Sequence, residues 1–362
     1  MATALYITST ETYSGKTAVC IGIAHRMRRD GLRVGYFKPL SFSTTREEQG
    51  PVQGPVDEDS RVIKRLLGLK EPLDELCPVM ITPTMLDRIV RGEVMNLADK
   101  IVAAYNKIAA DKDVVIVEGA NNMATGCLID MSGIEVVAAL KAKALVVVRY
   151  RMDLVIDHLL IARRVVGEAV IGSVINTVPH GRMEWVEHAV KPFCTKRGIT
   201  IFATLPEDRL LQATTVAEIV QAVHGEVLCA EDHTDNLVES LMVGAMSADA
   251  ALPFFRRKAN KAVITGGDRG DLILAALDTS TACLVLTGNL KPEPQILARA
   301  EEQGVPVILG RHDTLTTTAA IERIFGKVRF HDSKKMLRFD SMLEERFDFA
   351  GLYDKLGISI GK

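Results

Sequence analysis

Ser9-Thr10-Glu11-Thr12-Tyr13-Ser14-Gly15-Lys16-Thr17 is the stretch that decides the fold. It follows the apolar run Ala4-Leu5-Tyr6-Ile7, which reads as a buried strand, and precedes Ala18 to Met27, which reads as a helix. Strand, tight loop, Gly-Lys-Thr and helix in that order form the layout of a phosphate-binding loop. Free N–H groups at a helix start point at an anion, and the helix dipole favours negative charge there. In such a loop Thr10, Glu11, Thr12, Tyr13, Ser14 and Gly15 cradle the nucleotide, Lys16 reaches the β/γ-phosphates, and the Thr17 hydroxyl sits on Mg²⁺. The usual pattern has a glycine at position 10, or at position 9 in a longer variant, and Thr10 and Ser9 stand there instead. Ser9 carries a Cβ and resists positive φ, so a chance Gly-Lys-Thr in a strand–helix turn is the competing reading.

Working outward, 362 residues suffice for two domains with their own cores. The net charge of -2 argues against nucleic acid or an acidic membrane surface as the main partner. The basic cluster His25-Arg26-Met27-Arg28-Arg29 reads as a solvated helix end. Cys20, Cys77, Cys127, Cys194, Cys229 and Cys283 include no CxxC pair and lie mostly in apolar surroundings. They read as reduced, buried thiols of a cytoplasmic protein. His158, His180, His188, His224 and His233 form no metal-ligand motif. No leader pattern opens the chain, and no apolar run is long enough to span a bilayer.

Apolar β-branched runs recur at 33–37, 113–117, 144–148, 171–175 and 200–203, with helical patterns between them at 97–110 and 154–166. This alternation predicts a doubly wound α/β fold with a mostly parallel sheet. Ligands bind at the carboxyl ends of such strands, where the 8–17 loop, Lys38, Glu118 and Asn176 all fall. Residues 41–58 read as a loop, and Asp57-Glu58-Asp59-Ser60 then opens a helix. The pattern pauses around 225–233. A second, smaller α/β block follows, with a helix expected at 236–246, strands at 261–264, 282–286 and 306–309, and helices at 271–277, 294–303 and 317–325. The expected division is 1–222, 223–332 and a C-terminal tail at 333–362, read as a docking helix with a frayed end or as a partner-binding tail.

A magnesium nucleotide needs a cation, a hydroxyl and one or two carboxylates around the metal. Glu118, ending a central strand, is placed to hold Mg²⁺ directly or through water. Asp59 is the second metal candidate, and equally a helix N-cap. Pro39 forces an extended exit that keeps Lys38 at its strand's end, where Lys16 and Lys38 would neutralise charge on a transferred phosphoryl group. Asn176 reads either as a hydrogen-bond partner for a base edge or as a turn former.

These pieces resemble dethiobiotin synthetase over residues 1–215 or so: the 8–17 loop, Phe37-Lys38-Pro39, Asp59, Val117-Glu118-Gly119-Ala120, Asn176 and Leu205-Pro206-Glu207. The resemblance implies ATP and Mg²⁺ as cofactors. It also implies that Lys16 and Thr17 serve ATP·Mg²⁺, that Asp59 and Glu118 complete the metal site and that Lys38 faces substrate and phosphates. Asn176 would then read adenine, with Pro206 and Glu207 beside it. Asn121-Asn122-Met123 stands where that family has a glycine-rich loop for a carboxylate-bearing substrate. The second block resembles the DRTGG domain through Ala262 to Arg269 and Leu286-Thr287-Gly288. Together the blocks are similar to the N-terminal region of long phosphate acetyltransferases, with no room here for the acetyltransferase domain.

Thr265, Gly266, Gly267, Asp268 and Arg269 are the second block's candidate ligand or interface residues: two glycines let N–H groups approach an anion, and Arg269 adds a charged fork. A tight turn with Asp268 capping the next helix is the alternative. Three functions follow as expectations. One is a regulatory ATP·Mg²⁺-binding protein, a homodimer or a partner of an acetyl-phosphate enzyme. Another is an ATP-dependent synthetase acting on a small carboxylate or carbamate. The last is a scaffold that has lost its nucleotide.

Overall fold

In the Thr3–Thr8 strand every residue after the first is buried, because both faces are covered by helices. This strand lies inside a six-stranded sheet ordered Val34–Phe37, Val114–Glu118, Thr3–Thr8, Lys143–Arg149, Val170–Val178, Ile201–Pro206. Every pairing in it is parallel. The strand order runs outward both ways from Thr3–Thr8, which puts the crevice of the topological switch at that strand's carboxyl end. The computed structural model describes residues 2–42, 56–93, 96–152, 154–324 and 333–360. Most of the expected 41–58 loop lies outside them.

The helix Lys16–Arg29 starts directly after Gly15 and buries nine of its residues, from Lys16 to Met27. Arg26, Arg28 and Arg29 in its last turn oppose the dipole's negative end. The last turn is not merely solvated. Arg26 pairs with Asp30 at 2.8 Å, Arg29 pairs with Glu344, and His25 Nδ1 lies 2.9 Å from Asp340. The C-terminal segment supplies Asp340 and Glu344. Helices Ser333–Arg346 and Phe349–Leu356 bury Met336, Phe339, Met342, Leu343, Leu352 and Tyr353. Tyr353 donates to Asp30 at 2.6 Å, and the Asp348 N–H donates to the Phe202 carbonyl at 2.8 Å.

The chain accordingly divides into Met1–Glu207 with Phe330–Lys362, and Asp208–Arg329. The expected cuts at 222 and 332 differ for a physical reason. Val216, Ile219 and Val223 of the helix Val216–Val223 are buried with Ala262, Ile264 and Val285, so that helix belongs to the second core. Residues 333–360 belong to the first.

The second unit holds a five-stranded sheet ordered Glu226–Cys229, Val307–Leu309, Thr281–Thr287, Lys261–Gly266, Ser240–Val243. Its first pairing is antiparallel and the others are parallel. The helix expected at 236–246 is instead two strands. Leu237–Val238 pairs with Thr214–Thr215, and Ser240–Val243 forms the sheet edge. Its β-branched and aliphatic side chains pack on a pleat, and the helix comes later, at Ala248–Phe255. The pause at 225–233 hides the antiparallel edge strand. Among the described residues no helix is long and apolar enough to cross a membrane.

Candidate functional site

The loop between Thr8 and Lys16 closes on itself through one glycine. Gly15 has φ +95, and a Cβ there would collide with the Asn176 amide nitrogen. That nitrogen donates to the Ser14 carbonyl at 2.9 Å, while the Asn176 oxygen accepts from the Thr177 N–H at 2.9 Å. Asn176, toward the end of a neighbouring strand, therefore holds the loop's base through its amide nitrogen, while its oxygen caps the next residue of its own strand. Ser9 is fully buried and not among the residues with positive φ, so its Cβ meets no backbone penalty there. Its hydroxyl accepts from the Glu11 N–H at 3.1 Å. Positive φ falls on Tyr13 instead, at +57, with an exposed ring. Ser14 Oγ is buried with no hydrogen-bond partner among the described residues, a polar group left over inside the loop.

Neighbouring helix, strand and loop residues brace the rest of the loop. Thr10 Oγ1 meets His158 Nδ1. Glu11 accepts from the Arg149 N–H at 3.1 Å and pairs with Arg151 at 3.2 Å. Thr12 is exposed. Met123 N–H donates to the Ser9 carbonyl at 2.7 Å, and Lys16 Nζ donates to the Asn121 carbonyl at 2.8 Å. The Asn121-Asn122-Met123 segment thus lies directly against the phosphate loop. Its backbone role could not be read from side-chain identity.

Glu118 ends the central strand Val114–Glu118 and is 2 % exposed. Thr17 Oγ1 donates to one of its oxygens at 2.6 Å and the Tyr36 hydroxyl to the other at 2.7 Å. Burial pushes the Glu118 carboxyl above its ordinary range, with Lys38 opposing. Lys38 is also buried and bridges Asp57 at 3.0 Å and Asp59 at 2.7 Å. Burial alone would lower its pKa, but Glu118, Asp59 and Asp57 outweigh it and hold the ammonium above the ordinary lysine range. Burial pulls Lys16 below that range, with Glu118 opposing.

Asp59 is not the helix cap. Asp57 caps Glu58–Leu66, accepting from the Ser60 N–H at 2.8 Å, and also accepts from Ser41 Oγ. Burial pushes the Asp57 carboxyl up, but Lys38 and the Ser41 and Ser60 bonds outweigh it and hold it below its ordinary range. Asp59 remains about half exposed and faces Lys38. Lys16, Thr17, Lys38, Asp59 and Glu118 therefore share one site, joined by Asp57 and Tyr36, which the sequence reading missed. A second acid two residues before Asp59 was the available signal for Asp57. Pro206 is buried at its strand end, and the exposed Glu207 donates its N–H to the Val178 carbonyl at 2.8 Å.

The donor set is a hydroxyl and two carboxylates, hard oxygens of the kind Mg²⁺ takes together with water and phosphate oxygens. Among the described residues no three His, Cys, Asp or Glu side chains gather into a metal cage. Magnesium held here would therefore lean on its nucleotide. The buried Ser14 hydroxyl without a partner and the turn at Gly15 fit a phosphate group.

In the second unit Thr265 donates to the Gly244 carbonyl at 3.2 Å. A Cβ on Gly267 would collide with the Leu290 carbonyl, so that glycine serves close packing. Arg269 pairs with Asp271 at 3.1 Å and donates to the Met246 carbonyl at 2.9 Å. Asp268 does not cap the helix Gly270–Leu277, whose N-cap is Arg269 without a side-chain bond. Gly266 ends its strand beside them. Of the six thiols, Cys127 is exposed, unlike the buried Cys20, Cys77, Cys194 and Cys283.

Two family models match. One described as an AAA domain covers residues 3–215, and one described as a DRTGG domain covers 218–324. A phosphate acetyltransferase of Synechocystis is 24% identical over 372 residues, covering 98% of this chain and 52% of that protein. One of Nitratidesulfovibrio vulgaris is 25% identical over 375 residues, with coverages of 98% and 52%. The chain thus spans about half the length of these curated relatives. An ATP-dependent dethiobiotin synthetase BioD of Methanococcus vannielii is 29% identical over 181 residues, covering 48% of this chain and 79% of that protein.

Proposed function

The chain belongs to the AAA-domain family, in its dethiobiotin synthetase-like form followed by a DRTGG domain, and from that premise we propose that it is a regulatory ATP·Mg²⁺-binding protein. The carrying observation is the 2.6 Å bond from the Thr17 hydroxyl to Glu118, at the carboxyl end of a central strand beside Lys16. Thr17, Glu118 and Asp59 would hold the magnesium, which when bound supplies positive charge next to the phosphates. Lys16 gives up a carbonyl, not a carboxylate, to meet the β/γ-phosphates, and its burial strengthens the attraction. The loop's backbone N–H groups and the start of the Lys16–Arg29 helix complete the cradle. Asn176 fixes the loop so that Gly15 keeps its left-handed turn.

The regulatory part of the reading rests on the DRTGG domain and on the relation to phosphate acetyltransferases, whose acetyl-phosphate metabolism is the proposed setting, with a homodimer or such an enzyme as partner. Sedimentation velocity with and without ATP·Mg²⁺ tests it. A nucleotide-dependent change in assembly, alone or with a phosphate acetyltransferase, supports the reading. Unchanged sedimentation in both conditions contradicts it.

A synthetase of dethiobiotin type is the second reading, favoured by one observation: Lys38 is buried and pre-positioned by Asp57 and Asp59. There Lys38 would neutralise charge on the transferred phosphoryl group. Substrate-stimulated ADP release across small diamino and dicarboxylic acids would support it, and silence would count against it.

A further inference from the structure

At the amino ends of two strands of the first sheet, remote in sequence from the phosphate loop, lies a cleft of about 650 Å³. Leu32, Val34, Leu67 and Leu69 give it an apolar lining, Val34 and Leu67 being buried at 5 % and 2 % exposure. Its charges are lopsided. Glu71 and Asp111 are both taken by Lys112, at 3.0 and 2.9 Å. Arg33 is held in a two-pronged pair by Asp113, at 2.6 and 3.1 Å. Arg28 and Lys70 also line the cleft and are exposed; Arg28 donates to the Leu67 carbonyl, and among the described residues no carboxylate pairs with either.

The volume suits a small molecule. Two unneutralised cations beside four aliphatic side chains select its chemistry. We propose that this cleft binds a small organic anion, its apolar body on the leucines and valine and its carboxylate, sulfonate or phosphate at Arg28 and Lys70. The location gives such a ligand leverage. The helix that begins with Lys16 and Thr17 ends at Arg28 and Arg29. The strand that leads to Lys38 begins at Val34, the helix capped by Asp57 ends at Leu66 with Leu67 as its C-cap, and the strand ending in Glu118 comes shortly after Asp111 and Lys112. These four elements carry Lys16, Thr17, Lys38, Asp59 and Glu118 at or next to one end, and at the other they reach the cleft or adjoin a residue that lines it.

Fluorescence titration of the full chain with 1-anilinonaphthalene-8-sulfonate, an apolar anion that brightens in apolar surroundings, tests the proposal. Saturable binding to one site is expected. Measured well below the thermal midpoint, Arg28→Glu with Lys70→Glu should weaken it at least tenfold, the midpoint itself falling because Arg28 also bonds the Leu67 carbonyl and answers the helix dipole. Leu69→Trp should weaken it as much by filling the cleft, with an unchanged midpoint. Lys16→Ala should bind the probe as the parent does, so a failed nucleotide site does not mimic a failed cleft. No saturable binding, or affinity unmoved by the charge reversals, would overturn the proposal. Sensitivity to Leu69→Trp alone would also overturn it, because the anion would then have no partner.

Discussion

Asp57 and Asp59 stand two positions apart at one helix start, yet they carry different loads. Asp57 is buried, caps the helix, and faces Lys38 and Ser41. Removing it takes one of the three carboxylates that hold the buried Lys38 ammonium and leaves the helix uncapped, so Asp57→Ala should cost about 3 kcal/mol in urea unfolding. Asp59 is half exposed and, among the described residues, pairs with Lys38 alone, so Asp59→Ala should cost less than about 1 kcal/mol while weakening Mg²⁺-dependent nucleotide binding. An equal stability loss for both would contradict this assignment. Gly15→Ala forces a Cβ into φ +95 and against Asn176. It should cost about 1–2 kcal/mol and disrupt the Asn176–Ser14 bond that sets the loop. A variant with parental stability and nucleotide affinity would show that the loop tolerates another shape.

At the scale of elements, the parallel strands were legible because burial on both faces writes a continuous apolar run, as in 114–117. The segment 236–246 misled because Leu237, Val238, Leu241, Met242 and Val243 suit either a helical stripe or two short strands, and only pairing with Thr214–Thr215 and Lys261–Gly266 decides between them. Lys16, Thr17, Lys38 and Glu118 could be placed because each sits at a strand end or helix start. Tyr36 and the Asn121 carbonyl could not, since long-range approach brings them in. The C-terminal helices were half legible: their apolar residues were visible, their docking partner was not. Gly22 lies where a Cβ would collide with Leu343, so the Lys16–Arg29 helix and Ser333–Arg346 are closely fitted. Burying a large apolar side chain contributes about 1.5–3 kcal/mol, and these helices bury several. A chain ending at residue 332 should therefore lose most of its stability or fail to stay soluble. A soluble product with a parental urea midpoint would refute that.

For the whole molecule, alkaline pH pulls stability in two directions. Burial lowers Lys261 from 10.5 to about 8, where it donates to Thr279 Oγ1 at 2.8 Å and the Ser280 carbonyl at 2.7 Å. Between those pKa values the unfolded chain binds more protons, so this group makes stability rise with pH above about 8, while its cost is fully present below. Burial pushes Cys77 and Cys283 from 9.0 up to about 12, so the unfolded chain loses those protons first and stability falls as pH rises above 9. Denaturant unfolding of the parent and of Lys261→Met, compared across pH 7.5–10, isolates the lysine. The stability difference between them should move in the parent's favour as pH rises, and a flat difference would show that Lys261 does not titrate with folding.

The central claim concerns the phosphate loop, and calorimetric titration of ATP and ADP, with and without Mg²⁺, into the protein and into Lys16→Ala tests it most directly. Magnesium-dependent binding that Lys16→Ala abolishes is the predicted result. Absence of binding to the intact protein, or binding indifferent to Lys16, would contradict the account and leave a P-loop fold without its nucleotide.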